Sequence, residues 1–160
     1  MSDYLFTQLR FVRANTLRDV EDVTNKMSEI IPVGSNNNIK WNLGHIYFNH
    51  ERFAFHFAKE NLLMPESFAE SFRPGTKPQS DGTIDVDFSE IIALLEGQID
   101  RIESTFKGRL SETTVESYIT SKGLHLATVE EFLSFCLYHE GMHYEKIKLL
   151  KELITLSFKS

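Results

Sequence analysis

Apolar residues recur at helical spacing in four stretches of the chain. In the first, from about Asp3 to Ile30, Leu5, Leu9, Val12, Leu17, Val20, Val23, Met27 and Ile30 predict one long amphipathic helix. Pro32-Val33-Gly34-Ser35-Asn36-Asn37 ends it in a loop, and Asn38 is placed to cap a second helix from about Ile39 to Glu60. Pro65, Pro74, Gly75, Pro78 and Gly82 make residues 65–87 a long irregular connection, of a length that is uncommon in compact domains and often functional, so it is expected to cover a site. Asp87-Phe88-Ser89-Glu90 has the form of a capping box and opens a third helix to about Lys107, which Gly108 stops. Residues 109–127 are mixed, and Val115 to Ile119 fits a short helix or an extended segment equally. Thr128-Val129-Glu130-Glu131 is a second capping box, opening the last helix to about Leu156. Alternation at strand period is nearly absent and there is no internal repeat. The predicted class is all-α: a four-helix bundle, one domain over residues 1–160, with a long irregular connection between helices 2 and 3.

Composition narrows the function classes. A chain of 160 residues can bury a continuous core without disulfides or a structural metal, and thirteen Phe make that core aromatic. With 17 basic against 23 acidic residues and a net charge of −6, the chain has no basic run that would form a nucleic-acid footprint. Cys136 is the single cysteine, so no internal disulfide can form and a cytoplasmic setting is expected. Met1-Ser2-Asp3-Tyr4-Leu5-Phe6 lacks the pattern of a signal peptide. No apolar run approaches the ~20 residues of a membrane span, so neither membrane nor nucleic acid is an expected partner.

The candidate chemistry lies on the last helix. Its apolar stripe runs Phe132, Cys136, His139, His143, Ile147, Leu150, Ile154, so two histidines four residues apart point to the buried side, one above the other. Glu140, Glu145, Lys148, Lys151 and Glu152 fall on what reads as the outer face. Imidazoles in a bundle interior leave polar nitrogens to satisfy, which a divalent metal would do, as would waters or neighbouring side chains. A metal would need a further protein ligand. The second helix offers His45, on the stripe Trp41, His45, Phe48, Arg52, Phe55 directly after Gly44, and His50, about 140° around the helix at ~100° per residue. One of the two can face the metal, not both. His56 shares the azimuth of His45 but lies ~16 Å further along, too far to serve the same ion. Gly44 would let a neighbouring element approach closely.

His139-Glu140-Gly141-Met142-His143 also spells H-E-x-x-H, the zinc-protease pattern in which the Glu is general base. Such proteases take a third ligand downstream, in one form after a glycine. Here those positions are Lys146 and Leu149, and the 17 residues after His143 form one helix. No strand is expected that could pair with an extended peptide. The protease reading is set aside on those grounds.

Trp41-Asn42-Leu43-Gly44-His45 on the second helix, with His139-Glu140-Gly141-Met142-His143-Tyr144-Glu145 on the last, resembles the DinB/YfiT-like metalloenzyme family. The resemblance covers nearly the whole chain: helix number, long middle connection and motif placement all correspond. It implies a four-helix bundle holding one divalent metal ion, nickel, zinc or iron, on three histidines, which map to His45, His139 and His143. The two motifs are also similar to the metal-binding domain of ergothioneine-type sulfoxide synthases, where iron is held. The large second domain of those enzymes is not in this sequence, so their reaction is not carried over. Other relatives are thiol S-transferases. The function implied is a metal-dependent thiol S-transferase or metal-assisted hydrolase acting on a small molecule or low-molecular-weight thiol. The alternative is a non-catalytic metal-binding or stress-response interaction bundle. A cavity beside the three histidines favours the enzyme, and a closed coordination sphere favours the structural role.

Three further residues are catalytic candidates. Asn49, one turn beyond His45, could orient a metal ligand; Arg52, on the same face, could receive an anionic substrate or simply form a salt bridge. Glu140 is set ~100° from the histidine stripe, which suits a supporting or surface role better than a general base. Cys136, three residues before His139, is expected to be a small buried hydrophobe rather than a ligand. Tyr138 and Tyr144 carry no assigned role. The aromatic excess and the resemblance are compatible with a homodimer.

Overall fold

The computed structural model describes residues 4–159. In chain order they form α1 (Tyr4–Asp19), the short α2 (Asn25–Ser28), α3 (Ile39–His50) continued by a π-helical turn (Glu51–His56), α4 (Glu66–Phe72), α5 (Phe88–Phe106), a hairpin of β1 (Thr113–Ile119) and β2 (His125–Thr128), and α6 (Val129–Ser157). The fold is helical, as expected. α6 and α5 each pack against both α1 and α3, which puts the four long elements in the cyclic order α1, α6, α3, α5. α3 is buried nearly all round, with only Phe48 partly open among its twelve residues. A helix covered on every side lies in the interior, so its polar side chains Asn42, His45, Asn49 and His50 need partners there.

Several boundaries differ from those predicted. The first helix does not run to Ile30. It stops at Asp19, and Thr24 caps the separate α2 by accepting from the Met27 amide. Asp19, Glu21 and Asp22 crowd acidic charge at the helix C-terminus, where the macrodipole disfavours it. The predicted start at Asp3 lies outside the described residues. The second helix loses α-geometry at Glu51, whose buried carboxylate is held by the Leu63 amide, Gln98 and Arg101. The 65–87 connection is not wholly irregular: α4 lies within it, and Phe68 and Phe72 are fully buried. Asn38 and Thr128 cap as expected, Thr128 in a complete capping box with Glu131. Asp87 is the N-cap residue of α5, but its side chain makes no capping bond.

The undecided segment is a strand. β1 pairs antiparallel with β2, with Tyr118 opposite Leu126 and Ile119 opposite His125, and the register shifts between Thr113 and Tyr118. The hairpin leads directly into α6.

A polar network crosses the centre of the bundle and joins all four long elements. Arg13 of α1 grips Glu140 of α6 with two parallel bonds, Nε to Oε1 at 2.8 Å and Nη2 to Oε2 at 2.9 Å. Its Nη1 donates to the Leu95 carbonyl at 2.7 Å and its Nη2 to Gln98 Oε1 at 3.1 Å, both on α5. Gln98 in turn donates to the Tyr47 carbonyl at 3.0 Å and to Glu51 at 2.9 Å. Thr16 donates to Glu140 Oε1 at 3.0 Å. Glu140 is therefore not on the outer face: it is fully buried, because α6 is covered on two sides, by α1 as well as α3.

Removing one member of a buried, bidentate pair leaves a stranded charge, which costs about 3–5 kcal/mol. Arg13→Met is expected to lower the urea-denaturation stability by that order, and the double variant Arg13→Met/Glu140→Leu to recover most of the loss. An unchanged midpoint in Arg13→Met contradicts a structural role for the pair.

Candidate metal centre

Glu140 is turned toward α1, and at ~100° per residue its neighbour His139 is turned toward α3. One turn further along α6, His143 points the same way. Facing them on α3 is His45. The three ring centroids are 5.1 Å (His45–His139), 4.8 Å (His45–His143) and 4.5 Å (His139–His143) apart. One ring nitrogen from each lies within 4.8 Å of the others, and together the three form a group able to hold a metal ion.

The surroundings decide which nitrogens are offered. Gly44 is what allows the first contact: a Cβ there would fall 2.3 Å from the Phe72 ring. Without it α4 sits against α3, and the Phe72 carbonyl accepts a bond from His45 Nδ1 at 2.6 Å. Trp41 stacks on the same imidazole at 4.4 Å between centroids and 16° between planes, and its Nε1 donates to the Ser71 carbonyl and Thr76 Oγ1. On α6, His143 Nδ1 donates to Asn42 Oδ1 at 2.8 Å, while Asn42 Nδ2 donates to the Asn38 carbonyl at 2.7 Å and so fixes the amide's direction. With their Nδ1 atoms carrying the protons, His45 and His143 both present Nε2 lone pairs, the tautomer a metal takes.

Asn49 lies among the three. Its Nδ2 is 2.8 Å from His45 Nε2 and 3.1 Å from His139 Nε2, donating to both lone pairs. Turned end for end, the same amide would present Oδ1 to a cation. His139 Nδ1 is buried with no partner among the described residues.

Burial pushes all three imidazoles toward the neutral form. Desolvation, followed by the neighbouring histidines, drives His139 down to about 2. Desolvation with His45 takes His143 to about 4, and desolvation lowers His45 against the opposing bond to Phe72. Neutral imidazoles are what a metal requires. The donor set therefore fits a divalent ion of the borderline class. Two metal–nitrogen distances of ~2.1 Å cap the separation of any two ligands near ~4.2 Å, so an ion needs only a small inward turn of the rings.

The other sequence candidates fall elsewhere. His50 is fully buried on the opposite side of α3, with Nδ1 on the Ile46 carbonyl at 3.0 Å and Nε2 3.2 Å from Glu140 Oε2. His56 is exposed and Cys136 is a buried core residue whose thiol is pushed strongly up by desolvation. Arg52 is not brought to the histidines: its guanidinium lies over Phe53, Phe57 and Tyr118 at 5.3, 5.5 and 4.9 Å from their centroids. Glu140 is consumed by Arg13 and Thr16, which hold its carboxyl below the usual range, so it is not free to take a proton. Asn42 and Phe72 were not anticipated. Asn42 stands inside the Trp41-to-His45 motif but has no spacing signal of its own, and a backbone carbonyl leaves none.

The lowered imidazoles set a pH dependence. Unfolded, these groups bind protons near 6.5; folded, all three bind them at lower pH, His139 and His143 well below, so acid favours the unfolded chain. Stability of the metal-free protein is expected to be complete above pH ~6.5 and to decline as pH falls from there toward the folded values. A melting temperature flat between pH ~7.5 and ~5 contradicts this. Separately, Gly44→Ala is expected to cost on the order of 1–3 kcal/mol through overpacking against Phe72. It should also weaken metal binding by releasing His45 Nδ1, an effect calorimetric titration would detect; unchanged affinity speaks against the Phe72 contact.

No curated protein matches the chain. Among solved structures it is similar to a crystal structure of a conserved protein from Enterococcus faecalis, with a TM-score of 0.68, 10% sequence identity, and coverage of 97% of this chain and 98% of that one. At that identity the likeness concerns the fold alone. The DinB superfamily model matches residues 8–147, a span that includes His45, His139 and His143. The chain belongs to the DinB superfamily.

Proposed function

We propose that this protein is a divalent-metal-dependent enzyme that holds its ion on His45, His139 and His143 and transfers a low-molecular-weight thiol to a small-molecule acceptor. The observation that carries the reading is the convergence of three neutral imidazoles, His45 and His139 buried and His143 half-buried, two of them with Nδ1 engaged so that Nε2 is offered inward. A divalent ion on three neutral ligands keeps its full positive charge and lowers the pKa of a thiol or water bound to it.

The remaining residues favour a thiol over water as nucleophile. Among the described residues no carboxylate joins the three histidines to act as general base, and Glu140, the neighbour of His139, is locked to Arg13. A thiol, with an ordinary pKa near ~8.5, needs less assistance to ionise than water does. Asn49 is placed to position the reacting group through its amide, and Trp41 to hold the His45 ring in plane. A cavity of about 1020 Å³ reaches the surface beside His139, which gives a substrate a route and supports turnover over a purely structural ion.

Trp41 is the single tryptophan and touches the site, so its fluorescence reports metal directly. Titration with Ni²⁺ is expected to quench it with about one ion per chain. His45→Ala and His139→Ala should each weaken that binding by at least about 100-fold, the upper end of what loss of even an outer-shell partner costs. Conjugation of low-molecular-weight thiols to electrophilic acceptors is expected only in the metal-loaded protein. Quenching retained in His45→Ala and lost in His50→Ala removes the ligand assignment. Metal binding without conjugation by any thiol favours the non-catalytic bundle.

A further inference from the structure

The large cavity is a built cleft with a chemistry of its own. It lies between the turn of the hairpin and the side of α6 that carries Phe135, Tyr138 and Met142, and His139 is the one of the three histidines that lines it. Leu126, 2% exposed, belongs to its base, while Leu124, Tyr138 and Met142 stand 53%, 61% and 45% exposed along it. Apolar side chains of this size left open around one concavity mark a binding surface rather than ordinary scatter.

The walls are fixed. The turn carrying Leu124 is closed by the Thr120 amide donating to the Leu124 carbonyl at 2.8 Å and the Leu124 amide donating to Thr120 Oγ1 at 3.0 Å, with Gly123 supplying the positive φ of 86° that the reversal needs. On the other side a line of rings runs inward from the surface. Tyr138 is tilted against Phe135 at 6.0 Å, and Phe135 against His139 at 6.3 Å. Phe135 is held from behind by the edge-on ring of Phe53 at 5.1 Å. Such tilted rings offer faces and edges to a further aromatic group. The lining carries both signs of charge and so does not select a strong ion: Glu131 is tied up in the capping box, and Lys122, His125 and Glu130 are the other ionisable groups besides His139 and Tyr138.

We propose that this cleft binds the body of the acceptor substrate, and that the acceptor is a small aromatic molecule lying between Leu124 and the Tyr138–Phe135 rings with its reactive end toward His139. The inference rests on the proposed metal-dependent reading for the role of that end, but the binding itself does not require the ion. Leu124, Tyr138 and Met142 set the specificity.

The test uses the full chain and the uncharged aromatic probe N-phenyl-1-naphthylamine, whose fluorescence rises in apolar sites. One saturable site is expected, weakened at least 10-fold in Leu124→Asp and in Met142→Glu. Both positions are exposed, so folding is checked only by unchanged melting. Leu156→Asp, an exposed apolar position near the far end of α6, is the control and should bind as the parent does. Ni²⁺ should quench the bound probe in the parent and not in His45→Ala, which places the probe beside the ion. Retained probe binding in a protein that takes up no Ni²⁺ upholds the cleft and overturns the metal reading. Absence of saturable binding, or binding indifferent to both Leu124→Asp and Met142→Glu, overturns the cleft. So does light scattering that shows a dimer dissociated by Leu124→Asp, because a second copy then covers the surface.

Discussion

The buried pair Arg13–Glu140 is the constraint on which the rest of the molecule depends. Neither charge can be left alone in the interior, and Glu140 reaches full satisfaction only with α6 turned so that its carboxylate meets the Arg13 fork and the Thr16 hydroxyl. That rotation settles where every other side chain of α6 points. His139, the next residue back, is thrown toward α3, and His143 follows one turn later. The glutamate of the H-E-x-x-H motif thus contributes to the site by aiming its neighbours. The same network reaches α5 and α3 through Gln98 and Glu51, so the four helices share one rotational setting.

What α6 aims, α3 and α4 receive. Gly44 removes the Cβ that would hold α4 away, and the resulting approach brings a backbone carbonyl onto His45 Nδ1. Asn42 does for His143 what Phe72 does for His45. Asn38, as N-cap, anchors Asn42 through its carbonyl and ties the 65–87 segment to the helix start through the Gly82 carbonyl. Gly82 cannot be replaced there, because a Cβ would lie 1.8 Å from the Glu29 carbonyl oxygen. The long connection is part of the site's scaffold, which is why a stretch so rich in Pro and Gly carries two fully buried phenylalanines.

Much of this was written in local patterns. The caps at Asn38 and Thr128, the close approach at Gly44, and the shared face of His139 and His143 follow from residue types whose geometry is nearly obligatory. The placement of Glu140 was not legible from a helix's own stripe, because a stripe assumes one buried side and α6 has two. A trace of it existed in α1: Arg13 stands four residues after Leu9, and Thr16 four after Val12, polar groups on an apolar face waiting for a partner. Helical spacing alone left His45 and His50 open, since they lie about 140° apart on one helix, and the motif resemblance pointed to His45; in the structure His50 sits beside Glu140 while His45 faces the α6 histidines. The π-helical turn and the break after Asp19 depend on distant partners and acidic crowding, which periodicity does not register. The hairpin was ambiguous because its outward residues, such as Val115 and Ile119, are themselves apolar and blur the alternation.

The central claim is that a rotation of α6 set by Arg13 and Glu140 assembles three imidazoles around one ion. Anomalous X-ray diffraction from crystals of the Ni²⁺- or Zn²⁺-loaded protein tests it most directly. The expected result is a single ion about 2.0–2.1 Å from one nitrogen each of His45, His139 and His143, with Glu140 still gripped by Arg13. An ion coordinated by Glu140 or His50 would contradict it.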